Sequence, residues 1–264
     1  MKKTEHCDVL VIGSGIAGLT CAIKLAEKKI KTIIVTRASR PEECNSSWAQ
    51  GGIIFPQKDD IDSLMNDIQK ASSYSSDEEV ARIIASSHDL IDEILLKKAQ
   101  THFKRNEDDS LKLTKEAAHS TSRIIYDGDH TGKSIQISLL NYIENLQSPY
   151  LQIISSATAL DLITPSHHGK DIHHRYCEHQ VLGAYIFHQK EDLVQTILAN
   201  KTVLATGGIG NLYLHNSNTY SSRGDGHAMA KRVGARIINM EFIQFHPTTL
   251  FIKKGHSRFL ISET

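Results

Sequence analysis

Asp8-Val9-Leu10-Val11-Ile12-Gly13-Ser14-Gly15-Ile16-Ala17-Gly18 is the stretch that decides the fold. A short apolar run ends abruptly in glycines at 13, 15 and 18. Leu19, Ala22, Ile23 and Ala26 then recur at i, i+3, i+4 and i+7, the stripe of an amphipathic helix, and residues 31–36 form a second β-branched run. The order is strand, glycine turn, helix, strand, for which a right-handed crossover is expected. Gly13 permits the tight turn, Gly15 leaves the backbone open to a pyrophosphate, and Gly18 lets helix and strand pack closely. The first N–H groups of the helix are free to meet phosphate. A merely structural turn is the competing reading, but both flanking elements are present, and they favour dinucleotide binding by Gly13, Ser14, Gly15, Ile16, Ala17 and Gly18. One feature departs from the common fingerprint. The second strand usually ends in an acid that binds ribose hydroxyls, whereas here it ends Val35-Thr36-Arg37. Arg37 fits either a 2′-phosphate or another way of holding adenosine.

Outward from that stretch, 264 residues suit one to two domains at roughly 150 residues each. The 30 Lys and Arg balance 30 Asp and Glu, which argues against a nucleic-acid surface or a polybasic membrane surface. No apolar run approaches the ~18 residues of a membrane span. The opening Met1-Lys2-Lys3-Thr4 leads into a strand instead of a signal peptide, so the expected location is cytoplasmic. Cys7, Cys21, Cys44 and Cys177 are far apart with no Cys-x-x-Cys, and reduced thiols are expected.

Ile61, Leu64, Met65 and Ile68 have helical spacing, as do Val80, Ile83 and Ile84, continuing to Ile91, Ile94 and Leu95. A third helix is expected over 134–146. Short β-rich runs at 151–155, 159–164, 181–187 and 193–198 predict an antiparallel meander, and 202–205 predicts a further strand running into Thr206-Gly207-Gly208. The imidazole-rich insert from His167 to His179 reads as a solvated hairpin tip, and no metal is expected.

Four more segments are similar to one family. They are Asn45-Ser46-Ser47-Trp48-Ala49-Gln50-Gly51-Gly52-Ile53; Glu116-Ala117-Ala118-His119-Ser120 with Arg123-Ile124-Ile125 and Asp129-His130-Thr131-Gly132-Lys133; Val203-Leu204-Ala205-Thr206-Gly207-Gly208; and Ser222-Arg223-Gly224-Asp225-Gly226, followed by Glu241-Phe242-Ile243-Gln244-Phe245-His246-Pro247-Thr248. With the glycine turn, they resemble the flavoprotein family of succinate dehydrogenase, fumarate reductase and L-aspartate oxidase, over residues 6 to 264. The L-aspartate oxidase branch matches best.

The resemblance implies an α/β fold: a Rossmann-like FAD-binding domain with a parallel sheet and antiparallel β-meander over 1–238, then the start of an α+β capping domain over 239–264. It implies FAD, and it accounts for Arg37, because a basic residue follows this strand in aspartate oxidases. It adds Asn45, Ser46, Ser47, Trp48, Ala49, Gln50, Gly51, Gly52, Thr158, Gly207, Gly208 and Asp225 to the cofactor contacts. For Asp225 an N-cap of the following helix is the alternative, and both roles are compatible. The respiratory members attach FAD covalently through a His five residues before the Gln of Ala-Gln-Gly-Gly. Asn45 stands there, so FAD is expected to be non-covalent. Glu116 falls where aspartate oxidases carry the acid that pairs with the substrate ammonium; a solvated loop residue is the alternative. Gln244, His246 and Thr248 alternate along an extended segment and share one face. They are expected to meet substrate, with His246 and Glu116 the catalytic candidates. Ser262 and Glu263 resemble further substrate-pocket residues, and His119 either contacts substrate or holds its loop.

The implied reaction is hydride transfer from Cα of L-aspartate to flavin N5, giving iminoaspartate, with reoxidation by O2 or fumarate. It is the first step of quinolinate and NAD synthesis, with quinolinate synthase as the consumer of the imine. The family's proton-transferring Arg does not occur in this sequence, and the expectation is a truncated chain that lacks normal turnover. The alternatives are a fumarate reductase or succinate dehydrogenase flavoprotein, or a non-catalytic flavin-binding remnant.

Overall fold

The computed structural model describes residues 4–116, 118–176, 178–246, 248–250 and 260–261. In chain order the elements are β1 (Glu5–Ile12), α1 (Ile16–Glu27), β2 (Thr32–Val35), α2 (Asn45–Trp48), β3 (Ile53–Ile54), α3 (Ile61–Ala71), α4 (Glu78–Ala85) and α5 (His88–Ile91). A π-helical stretch, Asp92–Lys98, follows. Then come β4 (Ile124–Ile125), α6 (Thr131–Leu146), β5 (Leu151–Ile154), β6 (Ala157–Ile163), α7 (Pro165–His168), β7 (Gly183–His188), β8 (Leu193–Leu204) and α8 (Asp225–Arg232). Residues 1–46 and 143–264 form one compact unit, and residues 47–142 form a second.

The first unit holds a sheet of order β5-β2-β1-β8-β7-β6. β1 pairs in parallel with β2 and with β8, and β2 pairs in parallel with β5. β6, β7 and β8 pair antiparallel. The glycine-flanked strand β1 is therefore central, and Leu10 and Val11 are fully buried, as a strand covered on both faces requires. Leu19, Ala22, Ile23 and Ala26 of α1 are buried, the stripe expected from their spacing. At the antiparallel end Ala157, Leu162, Ala184, Ile186 and Ile197 join Leu10 and Ile33 in one core.

Two strand expectations change. The run at 151–154 is a parallel edge strand beside β2, outside the meander. The runs at 193–198 and 202–205 are joined in one continuous strand, β8, because residues 193–198 pair with β7 while residues 197–204 pair with β1. A single strand thus joins the meander to the parallel sheet.

In the second unit α4 packs against α3. The Val80, Ile83 and Ile84 stripe does not face inward: Val80 and Ile83 are exposed, while Ala81 and Ala85 are buried. The small alanine face, also at i and i+4, permits the closer approach. β3 pairs antiparallel with β4, and Ile124 and Ile125 are buried. Among the described residues no helix is long and apolar enough to cross a membrane.

Candidate functional site

In the first unit a cavity of about 460 Å³ opens where β1, β2 and β8 end. This is the point where the chain leaves β1 with a neighbour on each side, the place where open α/β sheets hold ligands. Gly13 turns the chain with φ +119°. Its N–H donates to Val35 O at 2.9 Å. A Cβ there would overlap Ala205 O, and a Cβ on Gly18 would overlap Gly13 O. Both close approaches require glycine. Ser14 Oγ donates to Pro41 O at 2.8 Å and is bonded to Thr36 Oγ1 at 2.9 Å, tying the turn to the end of β2. Gly15, Ile16 and Ala17 line the cavity with the N-terminus of α1.

Arg37, Asn45, Ser46, Thr158, Gly207 and Asp225 also line it. Asn45 is clamped on both sides of its amide. Nδ2 donates to Asn218 Oδ1 at 2.6 Å and to Ser222 Oγ at 2.7 Å, and Oδ1 accepts from the Thr219 N–H at 2.8 Å. Ser46 Oγ accepts from Ile16 N at 3.1 Å. Thr158 Oγ1 accepts from Gln189 Nε2 at 2.9 Å. Gly18 and Gly208 are not on the lining. Asp225 does not cap α8: the cap is Gly224, at φ 78°, and Asp225 is the first helical residue with no side-chain capping bond. Its carboxylate instead accepts from Arg223 Nη2 at 2.9 Å. Burial pushes the Arg37 guanidinium down from its usual value, the Arg223 charge adds to this, and Asp225 opposes it.

The donor set fits a dinucleotide. The N-terminus of α1 offers backbone N–H groups to a phosphate, Arg37 adds a cationic side chain to the lining, and one lining hydroxyl, Thr219 Oγ1, is buried without a partner among the described residues. Thr219 and Cys44 are lining residues that sequence reasoning missed, and Ser222, quoted there only as part of a matching segment, is a third. They carry no spacing signal, because the tertiary fold brings the loop 216–222 to Asn45.

The segment 235–248 contains no strand among its described residues. The shared face expected for Gln244, His246 and Thr248 is therefore not that of a strand. Without a described partner strand, its backbone is not drawn into a ladder. Gln244 and His246 do lie on one cavity of about 500 Å³ with Phe242 and Phe245. Thr248 is not on that lining; its carbonyl lies 2.8 Å from His246 Nδ1. Ser262 and Glu263 fall outside the described residues.

Ser47, Trp48, Ala49, Gln50, Gly51 and Gly52 belong to the second unit. Ala49 O accepts from Gly132 N at 3.0 Å. A Cβ on Gly52 would overlap Ile124 Cγ2, so the loop presses directly on β4. Glu116 is an exposed loop residue whose Oε1 accepts from the Gly52 N–H at 3.2 Å. The resemblance thus selected two segments, 49–52 and 116, that the fold brings into contact.

The loop carrying Glu116 and His119 is closed by the bridge Thr114↔Ile124 and anchored by a fully buried arginine. Arg123 Nε donates to Asp60 Oδ2 and Nη1 to Asp67 Oδ2, each at 2.5 Å. Its Nη2 donates to Asp60 Oδ1 at 3.1 Å and Ser63 Oγ at 3.0 Å. Ser120 donates to Asp67 Oδ2 from its backbone at 2.7 Å and its hydroxyl at 2.8 Å. Burial would raise the Asp67 carboxyl, but the bonds from Arg123 and Ser120 outweigh it and hold it at about 2. The Arg123 hydrogen bond likewise lowers Asp60. Nothing in the sequence reading singled out Asp60 or Asp67. Their spacing with Ser63 on one face of α3 was the available signal.

The imidazole-rich insert is mostly exposed, and among the described residues no group of His, Cys, Asp or Glu is arranged to hold a metal.

Comparison with known proteins identifies this combination. The family model described as an FAD binding domain matches residues 8–264. An L-aspartate oxidase of Vibrio cholerae is 38% identical over 99% of this chain and 48% of its own length. The chloroplastic L-aspartate oxidase of Arabidopsis thaliana is 35% identical over 94% of the chain and 36% of its own. The chain thus spans about half, or less, of the curated relatives it matches. Among solved structures, Mycobacterium smegmatis Sdh1 superposes with a TM-score of 0.86 at 26% identity, covering 99% of this chain and 44% of that one. An E. coli quinol fumarate reductase, at 24% identity and TM-score 0.86 over 99% of this chain and 42% of its own, shares the fold. The chain belongs to the FAD-binding domain family of the succinate dehydrogenase and fumarate reductase flavoproteins, and its cofactor is FAD.

Proposed function

We propose that this chain serves FAD-dependent oxidation of L-aspartate to iminoaspartate, the first step of quinolinate and NAD synthesis, with quinolinate synthase as consumer of the product. The observation that carries the reading is Glu116, whose carboxylate is bonded to Gly52 at 3.2 Å beside Gln50 and Gly51. The identity to L-aspartate oxidases supports it. The domain reading is 1–238 for FAD binding and 239–264 for the opening of a capping domain.

The glycine turn and Ser46 would hold the pyrophosphate, and Arg37, Thr158 and Asp225 the remainder of the adenosine half. Asn45 has an amide where covalent attachment needs a nucleophile, and that amide is fully engaged with Asn218, Thr219 and Ser222, so FAD is held non-covalently. When bound, FAD supplies a two-electron acceptor that O2 or fumarate can reoxidise. Glu116 would pair with the substrate ammonium, since a carboxylate accepts a strong charge-assisted bond. Gln244, His246, Thr248 and Ser262 would take the carboxylates, with Glu263 a further residue of the substrate pocket and His246 also placed for proton transfer.

The test is hydrogen peroxide release by the FAD-loaded chain with L-aspartate and with succinate. Release with aspartate alone, lost in Glu116→Gln, supports the reading. Turnover of succinate and not aspartate contradicts it. The relatives extend well beyond the matched region, so an L-aspartate oxidase of full length, run in parallel, sets the scale for the rate.

A further inference from the structure

Of the two candidate substrate contacts in the loop 115–123, His119 has its chemical form dictated by a neighbour. A guanidinium donates and cannot accept. Arg123 Nη1 lies 3.0 Å from His119 Nδ1, so Nδ1 is the acceptor and the ring proton sits on Nε2. Arg123 has no freedom to turn away: it is fully buried and its other donors are held by Asp60, Asp67 and Ser63. The backbone is equally committed. The His119 N–H donates to Glu116 O at 3.2 Å, and Ala118 between them is left-handed at φ 70°, a strained conformation for a residue with a Cβ. His119 is half-buried, and its Nε2 has no hydrogen-bond partner among the described residues.

We propose that Arg123, locked by Asp60 and Asp67, is a positioning residue that holds His119 as the Nε2–H tautomer. His119 is then a fixed donor for a substrate carboxylate, while Glu116 in the same loop is the acceptor for the ammonium. One short loop so presents both halves of an α-amino-acid recognition pattern. The proposal rests on the reading of this loop as substrate-facing.

Two-bond 1H–15N correlation of the histidine rings in the ligand-free chain reads the tautomer directly. A single Nε2–H form with Nδ1 accepting is expected; an Nδ1–H form, or an averaged mixture of the two, overturns the proposal. Two substitutions then separate the ring nitrogens, because Gln carries its amide where Nε2 lies and Asn where Nδ1 lies. Calorimetric titration of the FAD-loaded chain with succinate, a carboxylate probe without an ammonium, is expected to give His119→Gln within about threefold of the parent and His119→Asn about tenfold weaker, the loss of one hydrogen bond. Equal losses in both variants overturn the donor role. A parent that binds no succinate overturns the carboxylate contact together with the dicarboxylate reading. An Nδ1–H tautomer with intact succinate binding overturns the Arg123 device alone.

Discussion

The cavity of the first unit and the loop anchor of the second are built from opposite materials. The cavity is made by backbone. Gly13 and Gly18 admit carbonyls where a Cβ would collide, the strand ends supply its walls, and its ionised groups stand near the rim. The anchor is made by side-chain charge, with one buried guanidinium held between two carboxylates and bonded to an imidazole. A backbone-built site is stiff and indifferent to pH. A charge-built site is specific, and it fails when one partner leaves, since the others remain buried and uncompensated.

The sharpest way to break the contrast is Gly13→Val. A left-handed backbone and a collision with Ala205 O coincide there, at a combined cost of about 5 kcal/mol; no retained flavin absorbance and a much lower denaturant midpoint are expected. Arg123→Leu should follow at about 4 kcal/mol by urea unfolding, from stranding Asp60 and Asp67. A loss below 1 kcal/mol would mean the anchor is ornamental. Asn45→Ala removes three hydrogen bonds at about 1 kcal/mol each, about 3 kcal/mol in all, and should weaken FAD binding while leaving the far-UV spectrum intact.

Acid should separate the two regions without mutation. The Asp67 carboxyl lies below its ordinary value in the folded chain. Its stabilisation is therefore complete above about pH 4 and lost as pH falls toward 2, about 2 kcal/mol in all. Asp67→Asn should flatten that part of the stability profile, whereas Gly18→Ala, which damages the backbone-built region, should not. The thiols give a chemical readout of the same contrast that leaves stability untouched. Burial pushes the Cys7 thiol up to about 11, so alkylation at pH 8 should run roughly a hundredfold slower than at an ordinary cysteine. Cys44 lines the cavity, and its alkylation should slow when FAD is added.

The same contrast explains what could be read from sequence. A backbone-built site is local: Gly13, Gly15 and Gly18 stand within six residues between a strand and a helix, and the turn and the buried stripe of α1 were both legible, whereas the central place of β1 emerged only from the assembled sheet. Asn45 was legible as a cavity position only through family resemblance, and its partners 173 to 177 residues away were not. The anchor joins residues 56 and 63 apart; the spacing of Asp60, Ser63 and Asp67 marks a shared helical face, but nothing local announces that Arg123 meets it. The β8 strand was split in two because its partner changes along its length, which only the assembled sheet reveals. The apolar spacing of Val80 and Ile83 misled because Ala81 and Ala85 share the helical period and pack closer.

The most direct measurement is the visible absorption spectrum of the purified chain after FAD addition and desalting, repeated on the supernatant after acid precipitation. The account predicts flavin bands on the protein that pass entirely into the supernatant, as a non-covalent cofactor held at the glycine turn requires. A colourless protein, or flavin that stays with the precipitate, would contradict it.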